Sequence, residues 1–452
     1  MQSFPKIDSP ALMTFMSILF LTVGGSPAPI LTAIQSLRPD RTIFICSSGP
    51  RGSLSQITGE GNPCEIRRGA EVVDRQPNIP TQLGMGTRFN ADTDLVLLDN
   101  PDDLAECYRL IAAKINAIQR ESPGGELYAD YTGGTKTMSL SLAMSALDYG
   151  VSLYLTTNAT RENLFRVERG QSTERAPTTL LTVERALNQD LPRLLQDFNY
   201  SGAIATLQAL LQSLELPADQ KRHIRQQRDL CAGFDAWDRF DHLAAWDLLS
   251  MHLDRKHPHA LALKRVLTSR QAIDPNFTAP TTLPGHGYEL VEDLLLNAQR
   301  RAHQQRYDDA VGRLYRALEL LAQIRLKQHY DLETGDLDVT KLPEFLRETY
   351  VADRNPRTGK IQIPLWKSYL LLSQLLDDPL GRHFQPQANR LQDALHVRNQ
   401  SLLAHGFTPV TNRDYQNSGQ VIQTFIETAL DALIPGKQRS PLPQFPTDFG
   451  SQ

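Results

Sequence analysis

The chain has 452 residues, with 47 Lys and Arg against 51 Asp and Glu, a net charge of -4 and 40% apolar side chains. That length suits two or three domains, each with its own core, and the mild acidity excludes an extended basic surface, so any nucleic acid has to be met by a local patch or a composite site. Four cysteines, Cys46, Cys64, Cys107 and Cys231, lie scattered without a CxxC pair; this spacing points to neither a zinc cluster nor a disulfide framework and favours a reducing, cytoplasmic setting.

The run 11–23 is apolar with Lys6 ahead of it. It is too short to span a bilayer as a helix, so no membrane association is expected. A signal peptide and a buried parallel strand over 16–23 both fit it. The strand is the better fit, because Gly24-Gly25-Ser26-Pro27 follows as a turn and 30–37 continues at helical spacing. Next, 41–47 is a short apolar strand ending in the hydroxyls of Ser47 and Ser48, followed by a Gly- and Pro-rich stretch to about residue 90. A strand at 94–98, a helix over about 102–120, a strand at 126–130, a helix from Lys136 and a strand at 151–156 complete the series. This alternation predicts a Rossmann-like α/β domain on a parallel sheet, with ligands gathered at the C-terminal ends of the strands. Gly24, Gly25, Ser26, Ser47, Ser48 and the loop from Thr132 to Lys136 all fall there.

That last loop, Asp130-Tyr-Thr-Gly-Gly-Thr-Lys136, joins a strand to a helix N-terminus. Free N–H groups and the positive end of the helix dipole meet at such a junction, and Gly133 with Gly134 lets a ligand approach the main chain. A P-loop is excluded, since its glycines would have to stand at Asp130 and Thr135. What survives is an anion-facing loop, with a cation at Lys136 and hydroxyls at Thr132, Thr135 and Thr137. An ordinary strand-to-helix connection with Thr135 as N-cap would look the same locally.

From about residue 179 the strand pattern gives way to amphipathic helices, several beginning with an aromatic followed by alanine, as at Tyr200 and Tyr307. The expected division is 1–175, an α/β sensor domain; 176–280, a helical middle region; 281–437, an all-α domain; and 438–452, a disordered tail. Within the all-α domain, Arg398-Asn-Gln-Ser-Leu-Leu-Ala-His405 places an arginine and a histidine seven residues apart. On one continuous helix they would lie two turns apart on one face. A guanidinium that holds phosphate oxygens beside an imidazole that moves a proton suits phosphodiester cleavage without a metal. A helix ending in a histidine next to Gly406 fits the same residues.

Taken together, the Asp130–Lys136 loop behind a strand ending in Gly24-Gly25-Ser26 resembles a CRISPR-associated Rossmann-fold (CARF) sensor domain. Arg398 and His405 resemble the R-x(4 to 6)-H motif of HEPN ribonucleases, including an asparagine, Asn399, after the arginine. In this order the two domains resemble the ancillary ribonucleases of type III CRISPR defence. The resemblance implies a homodimer that binds cyclic oligoadenylate across two sensor domains as an activator. It further implies cleavage of single-stranded RNA at a paired HEPN site by Arg398, Asn399 and His405, with no metal or other cofactor. The ligand site would be formed by Gly24, Gly25, Ser26, Ser47, Ser48, Thr132, Gly133, Gly134, Thr135 and Lys136. A nucleotide sensor with a non-catalytic interaction or transcription-regulating output is the other reading; no winged-helix pattern stands out in its favour.

Overall fold

The computed structural model describes residues 16–68, 71–158, 171–213, 215–401, 406–436 and 440–449. Among these, the chain divides into two compact units that meet in sequence at Thr182 and Val183. The first contains strands β1 (Ser17–Thr22), β2 (Arg41–Ser47), β3 (Cys64–Arg68), β4 (Glu71–Gln76), β5 (Leu95–Leu98), β6 (Glu126–Asp130), β7 (Ser152–Asn158) and β8 (Gln171–Arg175). Its longer helices are α1 (Ala28–Leu37), α2 (Leu104–Glu121) and α3 (Lys136–Asp148).

Six strands form one sheet in the order β5-β2-β1-β6-β7-β8, with β1 and β6 at its centre. Strand β1 is apolar from Ile18 to Leu21 because both its faces are covered. Ile18 and Phe20 pack with Ile111 and Ile115 of α2 and Met138 and Leu142 of α3, while Leu19 and Leu21 pack with Ile30 of α1. The 16–23 run is therefore the middle of a parallel sheet, as expected of a buried strand.

Two features depart from the expectation for this unit. Strand β8 pairs antiparallel with β7, so the sheet is parallel except at that edge. Its sequence, Gln-Ser-Thr-Glu-Arg, covers no apolar face and leaves no periodic signal. The Gly- and Pro-rich stretch holds an antiparallel hairpin, β3 with β4, in which Glu65 pairs with Arg67 and Arg75 at the surface. Only Cys64 of this hairpin reaches the core, so it too shows no periodic apolar face.

The second unit is helical. Its principal helices are α4 (Tyr200–Ser213), α5 (Ala218–Asp238), α6 (His242–Leu249), α7 (Pro258–Ile273), α8 (Glu289–His303), α9 (Tyr307–Tyr330), α10 (Leu365–Gln374), α11 (Ala388–Gln400) and α12 (Gln420–Leu433). Phe234 and Trp237 from α5, Leu263 from α7, Leu314 and Leu318 from α9 and Phe425 from α12 belong to one continuous apolar core. Tyr200 and Tyr307 each open a helix as expected. Phe240 stands two residues before α6 in a left-handed conformation, φ 61°.

The C-terminal stretch expected to be disordered is packed where it is described. Phe445 is 3% exposed, with its ring 5.0 Å from that of Trp237 and 3.6 Å from the Arg300 guanidinium carbon. Gln444 accepts from Arg300 Nη1 at 2.6 Å and donates to the Leu296 carbonyl. The proline-rich composition hid this, because the segment is held by single anchoring side chains rather than by a periodic face. Phe445→Ala is accordingly expected to cost about 3–5 kcal/mol and to lower Tm by several degrees in thermal denaturation; an unchanged Tm would mean that the segment contributes nothing to the core.

Candidate functional site

The loops at the C-terminal ends of β1, β2 and β6 are tied together through their main chains. Thr22 Oγ1 donates to the Gly133 carbonyl at 2.6 Å, and Ser139 Oγ donates to the same oxygen at 2.6 Å. A Cβ on Gly24 would stand 2.6 Å from Gly134 N, and Gly134 has φ +80°. Glycine is required here by close approach and by backbone conformation. From the β2 side, Ser47 and Ser53 exchange hydrogen bonds between backbone N–H and hydroxyl, and Gln56 Nε2 donates to the Gly24 carbonyl at 2.5 Å. Gln56 Oε1 is buried and has no partner among the described residues. Gln56 escaped sequence reasoning because a single buried glutamine in the one-turn helix Ser55–Thr58 carries no pattern.

The expected ligand residues thus fall into two groups. Gly24, Gly133 and Gly134 meet directly, with Thr132 and Thr135 beside them and Lys136 exposed at the first turn of α3. Among the described residues Lys136 makes no ion pair, so its charge is free for an anion. The hydroxyls of Ser47 and Thr135 are already engaged. Thr135 accepts from Met138 N at 3.2 Å and donates to the Pro101 carbonyl at 2.8 Å, which makes it the N-cap of α3. Gly25 and Ser26 are exposed and Ser48 is half-buried at the β2 end.

Behind the loop lies a polar chain. Asp130, 3% exposed at the end of β6, accepts from Thr132 N at 2.9 Å and Thr156 Oγ1 at 2.7 Å, while Thr156 N donates to Thr132 Oγ1 at 2.7 Å. Thr156 and Thr173 hydroxyls continue it to β8 at 2.8 Å. Burial raises the Asp130 pKa, and the threonine hydrogen bonds offset that only in part. An acid whose pKa is raised on folding destabilises the fold above that pKa and ceases to do so as pH falls through it. Asp130→Asn preserves the hydrogen-bond shape, because the Thr156 hydroxyl can accept instead of donate. It is expected to raise Tm at neutral pH, with the gap to wild type closing as pH falls into the carboxylate range; a gap independent of pH would show that Asp130 does not titrate with folding.

In the second unit, α11 ends at Gln400, and Ser401 is extended at ψ 157°. Gly406 N donates to the Ser401 carbonyl, Thr408 N donates to the Gln400 carbonyl, and Ser401 pairs with Thr408 as an isolated bridge. This corrects the expectation of one continuous helix through Arg398 and His405. The chain turns back at Ser401, and a Cβ at Gly406 would run into the Gln400 carbonyl, so glycine permits the return. His405 lies outside the described residues.

Arg398 sits in the last turn of α11. Its guanidinium carbon lies 4.0 Å over the ring of Tyr315 from α9, and its Nη1 donates to Asn399 Oδ1 at 3.3 Å. No carboxylate pairs with it among the described residues. An aromatic face holds the cation without neutralising it. Further on, Val410 N donates to Asp308 Oδ2 at 3.1 Å. Asp308 and Tyr315 are two helical turns apart on α9, so the chain on both sides of 402–405 is held on one face of that helix. Tyr315, on a different helix 83 residues away in sequence, offered no sign of this role.

No cluster of three or more His, Cys, Asp or Glu side chains able to hold a metal occurs among the described residues, and no helix there is long and apolar enough to cross a membrane.

The helices that present Arg398 are similar to those of a known domain family. Residues 282–429, from just before α8 into α12, match the family described as Csm6 HEPN domain. With the α/β unit ahead of it, this match supports the resemblance to CARF–HEPN proteins and, in coarse terms, a CRISPR ancillary nuclease of the Csm6 kind. The structure of Enterococcus italicus Csm6 bound to cyclic hexa-2'-fluoro-hexa-dAMP is similar over 93% of this chain and 96% of that chain, at 12% identity and a TM-score of 0.49. No curated protein matches the chain in sequence.

Proposed function

We propose that the protein is a metal-independent endoribonuclease of type III CRISPR defence, active on single-stranded RNA as a homodimer and switched on by cyclic oligoadenylate. The observation that carries the reading is the Arg398 guanidinium, held on Tyr315 with no carboxylate partner among the described residues, inside a segment that matches a HEPN family. A cation kept in place and uncompensated is what a developing phosphorane charge requires. In the proposed reaction the RNA 2'-oxygen attacks the adjacent phosphorus as His405 handles its proton. The new O2'–P bond forms, the P–O5' bond breaks, and the 5'-oxygen leaves with a proton as a hydroxyl. Arg398 stabilises the charge on the non-bridging oxygens, and Asn399 steadies Arg398. One chain supplies few groups for such a site, and two-fold pairing of α11 and its following turn supplies a second set.

The activator is assigned to the loops of the first unit. Backbone N–H groups near Gly24, Gly133 and Gly134 would face phosphates, with Lys136 as counter-charge. In the cytoplasm such a protein stays idle until the activator appears, and the link between ligand loop and cleavage residues is a coupling of two states.

Two substitutions separate the activities. Lys136→Ala is expected to weaken binding of cyclic oligoadenylate about tenfold or more by calorimetry and to need correspondingly more activator for RNA cleavage. Arg398→Ala is expected to bind activator as wild type does and to cleave RNA at least about a hundredfold more slowly. Undiminished cleavage by Arg398→Ala would remove the HEPN chemistry, and unchanged affinity in Lys136→Ala would remove the ligand from this loop.

A further inference from the structure

The return of the chain after α11 leaves one aromatic ring in the open. Gly406 N donates to the Ser401 carbonyl, Thr408 N to the Gln400 carbonyl and Val410 N to Asp308 Oδ2, so the backbone on both sides of Phe407 is fixed. Phe407 itself is 90% exposed. Its ring packs into no core, although the turn that carries it is firmly held.

The ring forms part of a pocket of about 680 Å³, shared with Pro409 and Val410 of the same turn and with Arg306, Tyr307 and Asp308 at the start of α9. Charge does not distinguish this pocket. Arg306, which makes no ion pair among the described residues, stands against Asp308, and the neighbouring Asp309 is held by Arg313 at 3.1 Å. The pocket is distinguished by ring surface beside an unmet acceptor. Tyr307 is half-buried, its ring 5.7 Å from that of Tyr415, and Phe407 adds an open face. Asp308 spends Oδ2 on Val410 N, while its Oδ1 is buried and has no hydrogen-bond partner among the described residues. A buried acceptor left unmet is costly until a donor reaches it. Aromatic faces beside such an acceptor suit a flat ring that carries N–H groups, which is the chemistry of a nucleobase. Apolar side chains from a second copy of the chain would cover the rings and leave Asp308 unmet.

The pocket also adjoins the cleavage residues. Phe407 lies between the two residues whose N–H groups bond to the carbonyls of Ser401 and Gln400, so it sits against the end of α11, which carries Arg398 in its last turn. Along α9, Asp308 is about 10 Å from Tyr315, the seat of Arg398. We infer that Phe407 is a substrate-binding residue of the ribonuclease: the nucleobase next to the cut phosphate stacks on its ring, with its N–H edge toward Asp308. This inference rests on the reading of Arg398 as a cleavage residue.

The test uses the full chain with activator and a 2'-O-methyl RNA of about twelve nucleotides, which lacks the attacking hydroxyl and cannot be cut. Fluorescence anisotropy is expected to show Phe407→Ala and Phe407→Leu weakening its binding about tenfold and Phe407→Trp keeping it, because leucine replaces apolar surface but offers no ring face. The slope of log affinity against log salt is expected to stay at its wild-type value in all three, since no phosphate contact is lost, and light scattering is expected to give the wild-type mass. If Phe407→Ala and Phe407→Leu bind the RNA as wild type does while Arg398→Ala still blocks cleavage, Phe407 holds no base and the ribonuclease reading stands. If Phe407→Ala halves the mass and Phe407→Leu restores it, the ring's partner is a second copy of the chain and the inference is overturned. A wild-type chain that neither binds nor cuts RNA would overturn both.

Discussion

A guanidinium with none of its surface exposed has to find its counter-charge inside the protein, and the second unit is arranged around Arg300 doing so. Arg300 Nε donates to Asp238 Oδ1 at 2.7 Å, Nη1 donates to Gln444, and the ring of Phe445 covers the remaining face. Asp238 also pairs with Arg301 and accepts from Asn297, whose carbonyl in turn takes the Arg313 guanidinium of α9. Burial pushes the Arg300 pKa down to about 10, which still leaves it charged at neutral pH. Removing one member of a buried pair of this kind typically costs about 3–5 kcal/mol, because the other is stranded. The network fixes α5, α8, α9 and the C-terminal segment to one another. Since α9 also carries Tyr315 and Asp308, the seat of Arg398 inherits its position from that buried charge.

The first unit solves a different problem with different means. Its loops are short, and their geometry is set by main-chain approach at Gly24, Gly133 and Gly134 rather than by ion pairs. Hydroxyls and one buried carboxylate tie that cradle to β1, β6, β7 and β8, while Lys136 is exposed at the edge and makes no ion pair among the described residues. A rigid cradle with one uncommitted cation is suited to an anionic ligand with several phosphates. Arg398 offers a contrast, since among the described residues both cations lack a carboxylate partner, Arg398 resting on an aromatic ring and Lys136 standing exposed.

Much of the α/β unit was legible because buried parallel strands are continuous apolar runs. The expectation at 41–47 and at 126–130 coincides with β2 and β6. Strands β3, β4 and β8 were not legible, because a polar edge strand and a hairpin that buries little beyond Cys64 carry no period. The Gly-Gly and Arg-x6-His stretches stood out as chemistry. Their partners did not: Gln56, Thr156 and Tyr315 reach these places only through the fold, and nothing local marks them. The end of α11 at Gln400 was missed for a related reason. Leu402, Leu403 and Ala404 have helical propensity, and it is the backbone pairing of Ser401 with Thr408 and the passage at Gly406 that turn the chain.

The central claim, proposed above, is that Arg398 and His405 cut RNA by internal attack, without a metal, in response to a cyclic oligoadenylate. Mass spectrometry of RNA fragments, formed by the full chain with activator in excess chelator, tests it most directly. The account predicts 2',3'-cyclic phosphate and 5'-hydroxyl ends, formed only when activator is present; fragments carrying 5'-phosphates, or cleavage that stops on chelation and returns with a divalent metal, would contradict it.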